Sequence, residues 1–315
     1  MQTEAVLHVV HGMAEHAGRY GRLAEELCGA GIEVWAADLR GHGKTADKSV
    51  NHPGKGGLPG HCSDKDTFTT VTGDVHEINL EIHKVRRGVP LVLMGHSWGS
   101  FIVQNYIGCK HPMSVITSEP AGGFTVDGCV LSGTRGPGGF KVGAGIPVLS
   151  ALAFLRGRRR GSSMARALVD GPYNRAFRPN RTGFDWLSRD EAEVDAYVGD
   201  PLCGGLRSSG FYRDLAKGLR RIHKNETMGN IRRDLPVYIL GGSADPVGDM
   251  GASPTALVNA YRSLGLKNIE FVLYPGARHE PLNETNREEV TVNLFSWIHR
   301  NVASRPGRNP PGEGD

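Results

Sequence analysis

The stretch LVLMGHSWGS, residues 91–100, decides the fold. Its apolar first half is typical of a buried strand, and the mostly apolar pattern that follows is helical. Between them lies a G-x-S-x-G pattern centred on Ser97, in the setting that a nucleophile elbow requires. In that elbow a sharp turn raises the serine oxygen above the sheet, and Gly95 and Gly99 avoid collisions. The pattern alone is weak evidence in a chain with 44 glycines among 315 residues, so the prediction that Ser97 is a nucleophile depends on this setting.

Further apolar runs, each bounded by turn residues, predict more strands of the same sheet. An amphipathic helix is predicted between Phe68 and Val85, where apolar residues recur every three or four positions. Ser253 and Pro254 predict the capped start of another helix. Strands that alternate with helices predict a doubly wound, mostly parallel α/β sheet. The predicted strands outside the first stretch cover 5–12, 32–38, 126–133, 235–242 and 268–276.

About 100 residues without a clear strand separate the predicted strands at 126 and 235, and they predict an inserted helical cap. The expected organisation is a core in two parts, a cap between them, and a Pro/Gly-rich tail that is too polar to pack. The corresponding ranges are 1–134 and 235–303 for the core, 135–234 for the cap and 304–315 for a disordered tail.

Composition sets limits on the class of protein. Hydrophobic residues make up 39% and charged residues 22%, which is typical of a globular protein. The net charge of +4 is mild, and the sequence has no dense basic tract of the kind that binds nucleic acid. Five widely spaced cysteines form no C-x-x-C pair, so neither a zinc site nor a disulfide framework is indicated. With no signal peptide or long apolar stretch, we expect a cytoplasmic protein. Catalysis by a serine nucleophile needs no metal or organic cofactor, and none is expected.

A serine nucleophile needs a histidine base and a carboxylate that orients the base. VYILGGSADP places Asp245 just after one predicted strand, and FVLYPGARHE places His279 just after the next. The order Ser97, Asp245, His279 is the one expected for this fold. Asp249 and Asp200 are the alternative acids.

The tetrahedral intermediate of such a reaction needs backbone N–H donors for its oxyanion. One donor is predicted to be the amide of Trp98, directly after the nucleophile, and the other the amide of Met13 in the turn VVHGMAEH. The alternative is that this HG turn is only a tight exit from its strand.

Five stretches in this order resemble the α/β-hydrolase superfamily, in the group of monoacylglycerol lipases, lysophospholipases and serine aminopeptidase-like hydrolases. They are HGMAEHAGRY, ADLRGHGKT, GHSWGS, GGSADPV and YPGARHE, and the cap stretch FDWLSRDEAEVDAYVGDPLCG is similar to bacterial members. The resemblance implies the same triad and oxyanion residues. It also implies that Glu15 and Arg19 lie near the glycerol moiety of a substrate, with a salt bridge that fixes the loop as the alternative.

Two features depart from that group. Only about six residues precede HVVHG, where the group normally has an antiparallel pair of strands. The pair is therefore expected to be missing, and the sheet edge that it would cover is expected to favour association between molecules. The run at 51–60 and the segment at 118–124 are longer than usual loops, and no function is predicted for them.

The predicted activity is hydrolysis of monoacylglycerols, lysophospholipids or similar monoacyl esters through an acyl-enzyme. Amide or peptide hydrolysis by the same triad is one alternative, and a non-catalytic binding protein is another. The apolar run IPVLSALAFL (146–155) would line an acyl pocket, with a buried structural helix as the alternative. The RGRRRG that follows it, with Arg156, Arg158, Arg159 and Arg160, is either a solvated surface or a transient contact with a lipid surface.

Overall fold

The structure is a computed structural model, and it describes residues 3–46, 58–109 and 126–304, with the side chains of 139–144 excepted. One sheet of six parallel strands runs through it in the order β2-β1-β3-β4-β5-β6. Each predicted strand is therefore confirmed, with ends within two residues of the prediction. The strands are β1 (Ala5–Val10), β2 (Ile32–Ala36), β3 (Leu91–His96), β4 (Gly128–Ser132), β5 (Val237–Gly242) and β6 (Ile269–Tyr274).

Helices cover both faces of this sheet. In β1, Val6 and Val10 face one apolar core while Leu7 and Val9 face the other, because side chains of a strand alternate between the two faces. A sheet buried on both faces explains why the strands are continuous apolar runs. The helices of the core are α1 (Gly21–Cys28), α2 (Gly43–Ala46), α3 (Thr67–Val85), α4 (Trp98–Gly108), α10 (Ala252–Ser263) and α11 (Arg287–Ile298).

The two faces use different helices. Helices α3, α4 and α10 contribute to one core, and α1 and α11 contribute to the other. The doubly wound α/β architecture is thus confirmed. Strand β2 lies at one edge of the sheet, and no strand in the described ranges pairs with its outer side. The expected association through that edge stays a prediction.

Between β4 and β5 the chain adds five α-helices and no strand of the sheet. Part of this segment belongs to the core rather than lying above it, because α8 packs against α3 and α4. The helices are α5 (Gly139–Arg156), α6 (Ser163–Val169), α7 (Glu191–Gly199), α8 (Ser209–Ile222) and α9 (Asn225–Met228).

Other predictions have mixed outcomes. The predicted start of a helix at Ser253 is wrong: α10 begins at Ala252 after Gly251, and the Ser253 hydroxyl accepts a hydrogen bond from the Gly136 amide at 3.1 Å. All five cysteines carry free thiols. Most of the loop at 51–60, the segment at 118–124 and the tail after Ser304 lie outside the described residues.

Candidate active site

Ser97 lies in the turn between β3 and α4, with φ 51° and ψ −122°. This positive φ is rare for a residue with a side chain, and such strain occurs preferentially at functional sites. A Cβ atom at Gly95 would collide with the Gly99 carbonyl, and a Cβ at Gly99 would collide with the Val10 carbonyl. Only glycine fits at both positions, which is the geometry predicted for a nucleophile elbow.

The structure brings Ser97, His279 and Asp245 together. His279 Nε2 lies 2.8 Å from Ser97 Oγ, and His279 Nδ1 lies 3.0 Å from both carboxylate oxygens of Asp245. An ionised carboxylate only accepts hydrogen bonds, so Nδ1 carries the proton and Nε2 is free to accept the serine hydroxyl. His279 and Asp245 are buried, which keeps this arrangement out of water.

The two alternative acids contact other side chains. Asp249 contacts Arg135 at 2.8 Å, and Asp200 contacts His16 at 2.8 Å. Asp245 also accepts a hydrogen bond from the Val247 amide, in the turn that follows β5. The loop geometry therefore favours Asp245 as the partner of the histidine.

The electrostatic surroundings favour the protonated form of His279. Burial alone would lower its pKa, but the charge and hydrogen bond of Asp245, together with the charges of Glu280 and Glu15, outweigh burial and raise the pKa. The neighbouring His96 behaves differently, because burial lowers its pKa to about 4. Of these two adjacent imidazoles, only His279 is suited to take up a proton near neutral pH.

The loop after β1 places Met13 at the wall of the same cavity as Ser97. The cap holds this loop, because the Ala14 carbonyl accepts hydrogen bonds from the Gly204 amide at 2.8 Å and from the Tyr197 hydroxyl at 2.9 Å. Helix α4 begins at Trp98, whose amide is therefore one of the first-turn donors without an acceptor inside the helix. The assignment of the Met13 and Trp98 amides to an oxyanion hole stays a prediction.

Glu15 and Arg19 form a buried ion cluster with Glu280. Arg19 donates to Glu15 at 2.9 Å and to both carboxylate oxygens of Glu280 at 2.7 Å each. Glu15 also accepts hydrogen bonds from the Gly12 amide and the Tyr20 hydroxyl. This cluster joins the loop of Met13 to the loop of His279, so the structure contains the salt bridge that was the alternative for these two residues.

Sequence reasoning missed Glu280, although it directly follows the predicted base. Burial would raise its pKa, but the charge and hydrogen bonds of Arg19, together with His96 and Asn283, outweigh burial and lower the pKa to about 2. Sequence reasoning also missed Trp186, a cap residue whose ring lies 5.0 Å from the His279 ring. The chain position of Glu280 could have drawn attention to it, whereas Trp186 lies in the cap stretch FDWLSRDEAEVDAYVGDPLCG, where no pattern distinguishes it from its neighbours.

A cavity of about 340 Å³ lies over Ser97. Its lining is mostly apolar and comes from the core loops and from the segment between β4 and β5, as in most small-molecule sites. Arg19 does not line the cavity, whereas Glu15 does. The lining from the inserted segment includes Phe184, Trp186, Leu187, Tyr197 and Tyr212.

One trio of potential metal ligands occurs among the described residues, namely His16, Asp200 and Cys203. The Gly18 amide donates to His16 Nδ1, so His16 Nε2 carries a proton and donates to Asp200. This hydrogen bond accounts for the contact, and burial raises the pKa of the Cys203 thiol to about 12.

The parallel sheet, the strained serine turn and the Ser-His-Asp contacts define an α/β hydrolase. The family model described as serine aminopeptidase, S33, matches residues 1–286, and the chain belongs to that family. The group expected from the sequence motifs is thereby confirmed.

Curated relatives align over most of the chain. The monoacylglycerol lipase of Mycolicibacterium smegmatis is 27% identical over 296 residues, which cover 93% of this chain and 87% of the relative. The human monoglyceride lipase is 26% identical over 321 residues, which cover 98% of this chain and 86% of the relative. A crystal structure of a thermostable carboxyl esterase from Bacillus coagulans in complex with glycerol has a TM-score of 0.82 at 26% identity, and covers 96% of this chain and 91% of that one.

Proposed function

We propose that this protein is a serine hydrolase that cleaves esters of single acyl chains, such as monoacylglycerols or lysophospholipids. The observation that carries the proposal is the contact chain from Ser97 Oγ through His279 to Asp245, with distances of 2.8 and 3.0 Å. The names of the relatives, monoacylglycerol lipase and carboxyl esterase, support an ester as the substrate.

In the proposed mechanism His279 accepts the hydroxyl proton of Ser97 while Oγ attacks the ester carbonyl. The amides of Met13 and Trp98 donate to the oxyanion that forms. Collapse of the intermediate breaks the ester bond, the alcohol leaves with the proton of His279, and the acyl group stays on Ser97. Water, deprotonated by His279, then releases the fatty acid.

Two carboxylates in the loops of the site do not favour aminopeptidase activity. Glu15 and Glu280 are both bound by Arg19, so neither is free to hold the ammonium group of an aminopeptidase substrate. The predicted contact of Glu15 and Arg19 with a glycerol moiety stays a proposal, and Glu15 has the better position because it lines the cavity.

We also propose the division into a core of 1–134 and 235–303 with an inserted segment of 135–234 that forms the cap, although α8 within this segment packs against α3 and α4 of the core. Cap side chains such as Phe184 and Tyr197 lie over the triad and contribute to the cavity wall, which supports this division. Among the described residues, no helix is long and apolar enough to cross a membrane.

Transient contact with a lipid surface is a further part of the proposal. Phe154 and Leu155, at the end of α5, are 87% and 78% exposed, and Arg156 follows them directly. Exposed aromatic and aliphatic residues beside arginines are typical of surfaces that contact anionic lipids. The basic run contributes less than its sequence suggests, because Arg158 is paired with Asp214 and Arg159 with Asp64.

Hydrolysis of p-nitrophenyl esters from acetate to palmitate tests the enzymatic proposal, with Ser97→Ala as the matched variant. The cavity is at the lower end of the range for ligand pockets, so we expect the highest kcat/KM for short and medium acyl chains. Loss of the signal in the variant supports the proposal. Equal rates for both proteins, or release of nitroaniline from amino-acid anilides without ester cleavage, would contradict it.

Sedimentation with phosphatidylglycerol vesicles tests the lipid contact. We expect Phe154→Ser to reduce the bound fraction severalfold, with Val292→Ser as the control because Val292 is also exposed but lies on α11. Equal binding of the two variants and the wild type would contradict a role of this cap surface.

A further inference from the structure

Asp170, at the carboxyl end of α6, has one carboxylate oxygen that the fold leaves without a partner. Its Oδ2 accepts a hydrogen bond from the Tyr212 hydroxyl at 3.0 Å, whereas its Oδ1 is buried and has no hydrogen-bond partner. Leaving a buried acceptor unsatisfied is costly, and such a group in a native fold calls for an explanation.

The position of Asp170 supplies that explanation. Asp170, Tyr212 and Asn174 line the same cavity as Ser97 and His279. None of these three residues contacts the triad through a hydrogen bond or an ion pair in the structure. The cavity therefore contains a second polar region in addition to the reacting centre.

The two nearby cations do not pair with Asp170. Arg166 lies with its guanidinium over the Phe184 ring at 5.4 Å, and Arg207 donates to the carbonyls of Gly205 and Gly41. Burial raises the pKa of Asp170 to about 6, while Tyr212, Arg166 and Arg207 oppose that rise. At pH 8 the group is consequently a carboxylate, which is a strong acceptor.

We infer that Asp170 Oδ1, supported by Tyr212, binds a hydroxyl group of the substrate away from the reacting ester. A neutral donor fits because a carboxylate in the substrate would be repelled by Asp170, and an ammonium would be repelled by Arg166 and Arg207. The hydroxyl belongs either to the alcohol part of the ester or to the acyl chain. This inference rests on the proposed function in taking an acyl ester as the ligand.

Binding to the Ser97→Ala protein tests this inference without turnover. Calorimetry would compare 1-hexanoylglycerol with propyl hexanoate, which lacks both free hydroxyls, and methyl 6-hydroxyhexanoate with methyl hexanoate. We expect the added change Asp170→Ala to weaken binding of one hydroxylated ester about tenfold to a hundredfold, and its plain partner less than threefold. The affected pair identifies the part of the substrate that carries the hydroxyl.

A second variant separates recognition from folding. Asp170→Asn keeps an oxygen acceptor but no charge, so we expect a smaller loss of about threefold to tenfold for the same ester. If Asp170→Ala has no cooperative melting transition, Asp170→Asn alone carries the test. Equal losses for hydroxylated and plain esters, or no loss for either, would overturn the inference. Failure of the proposed function gives a different result, namely wild-type protein that cleaves no ester.

Discussion

Arg19 is the single cation between two buried carboxylates, and its removal tests how the active-site loops are held. The exposed fractions of the Arg19, Glu15 and Glu280 side chains are 10%, 4% and 5%. Arg19→Met keeps the volume of the side chain but leaves both carboxylates buried without a countercharge. The Met13 loop and the His279 loop would lose the bridge that joins them.

The expected cost follows from this burial. Removing one member of a buried ion pair costs about 3–5 kcal/mol, because the remaining charge stays desolvated. Unfolding entropy is about 2.1 cal/mol/K per residue, or about 0.7 kcal/mol/K for a chain of 315 residues. The melting temperature should therefore fall by about 4–7 °C. Displacement of the oxyanion loop by about 1 Å would also lower kcat/KM about a hundredfold.

Differential scanning calorimetry and ester kinetics would measure both effects. The triple variant Glu15→Gln, Arg19→Met, Glu280→Gln is the control, since replacement of a whole buried ion cluster by neutral residues costs far less than breaking it. We expect the triple variant to regain most of the melting temperature. An unchanged melting temperature in Arg19→Met, or a triple variant less stable than the single one, would refute the reasoning.

Further predictions concern pH and the turn glycines. Only neutral His279 can act as the base, so kcat/KM should rise with pH through a midpoint above 6.5. Asp245→Asn should lower that midpoint and reduce kcat about ten-thousandfold. A pH profile in which kcat/KM does not rise in this way would contradict the role of His279. The folded-state pKa of Glu280 lies below its ordinary value of 4.5, so its contribution to the free energy of unfolding is present above pH 4.5 and is lost as pH falls to about 2. Measurement of the free energy of unfolding between these pH values, with Glu280→Gln as the reference, checks this. Gly99→Ala should reduce soluble yield or melting temperature sharply, whereas Gly145→Ala, at a position with open space, should be neutral or stabilising by about 0.5–1 kcal/mol. Equal stability of those two variants would contradict the steric account of the turn.

The sheet and the triad could be predicted from the sequence because local patterns determine them. Buried parallel strands such as β3 appear as apolar runs, and residues that follow parallel strands meet at one edge of the sheet. Ser97, Asp245 and His279 all follow strands in this way. Their convergence was therefore foreseeable without any knowledge of the cap.

The contacts that the cap makes could not be predicted, because they depend on packing between distant parts of the chain. Trp186 reaches His279, and Tyr197 reaches Ala14, across 93 and 183 positions respectively. The start of α10 was misplaced for a related reason. Serine is a residue type that commonly caps the start of a helix. The Ser253 hydroxyl instead accepts a hydrogen bond from the amide of Gly136, in a distant segment of the chain, and this tertiary contact overrides the local preference for a cap.

Labelling with a fluorophosphonate tests the central claim most directly. Attack by an activated serine forms an Oγ–P bond and expels fluoride, and the adduct can be located by peptide mass spectrometry. The account predicts one adduct per chain at Ser97, labelling that is at least a thousandfold slower in His279→Ala, and none in Ser97→Ala. An adduct on another residue, or labelling at Ser97 that does not depend on His279, would contradict the assignment of Ser97 as the activated nucleophile.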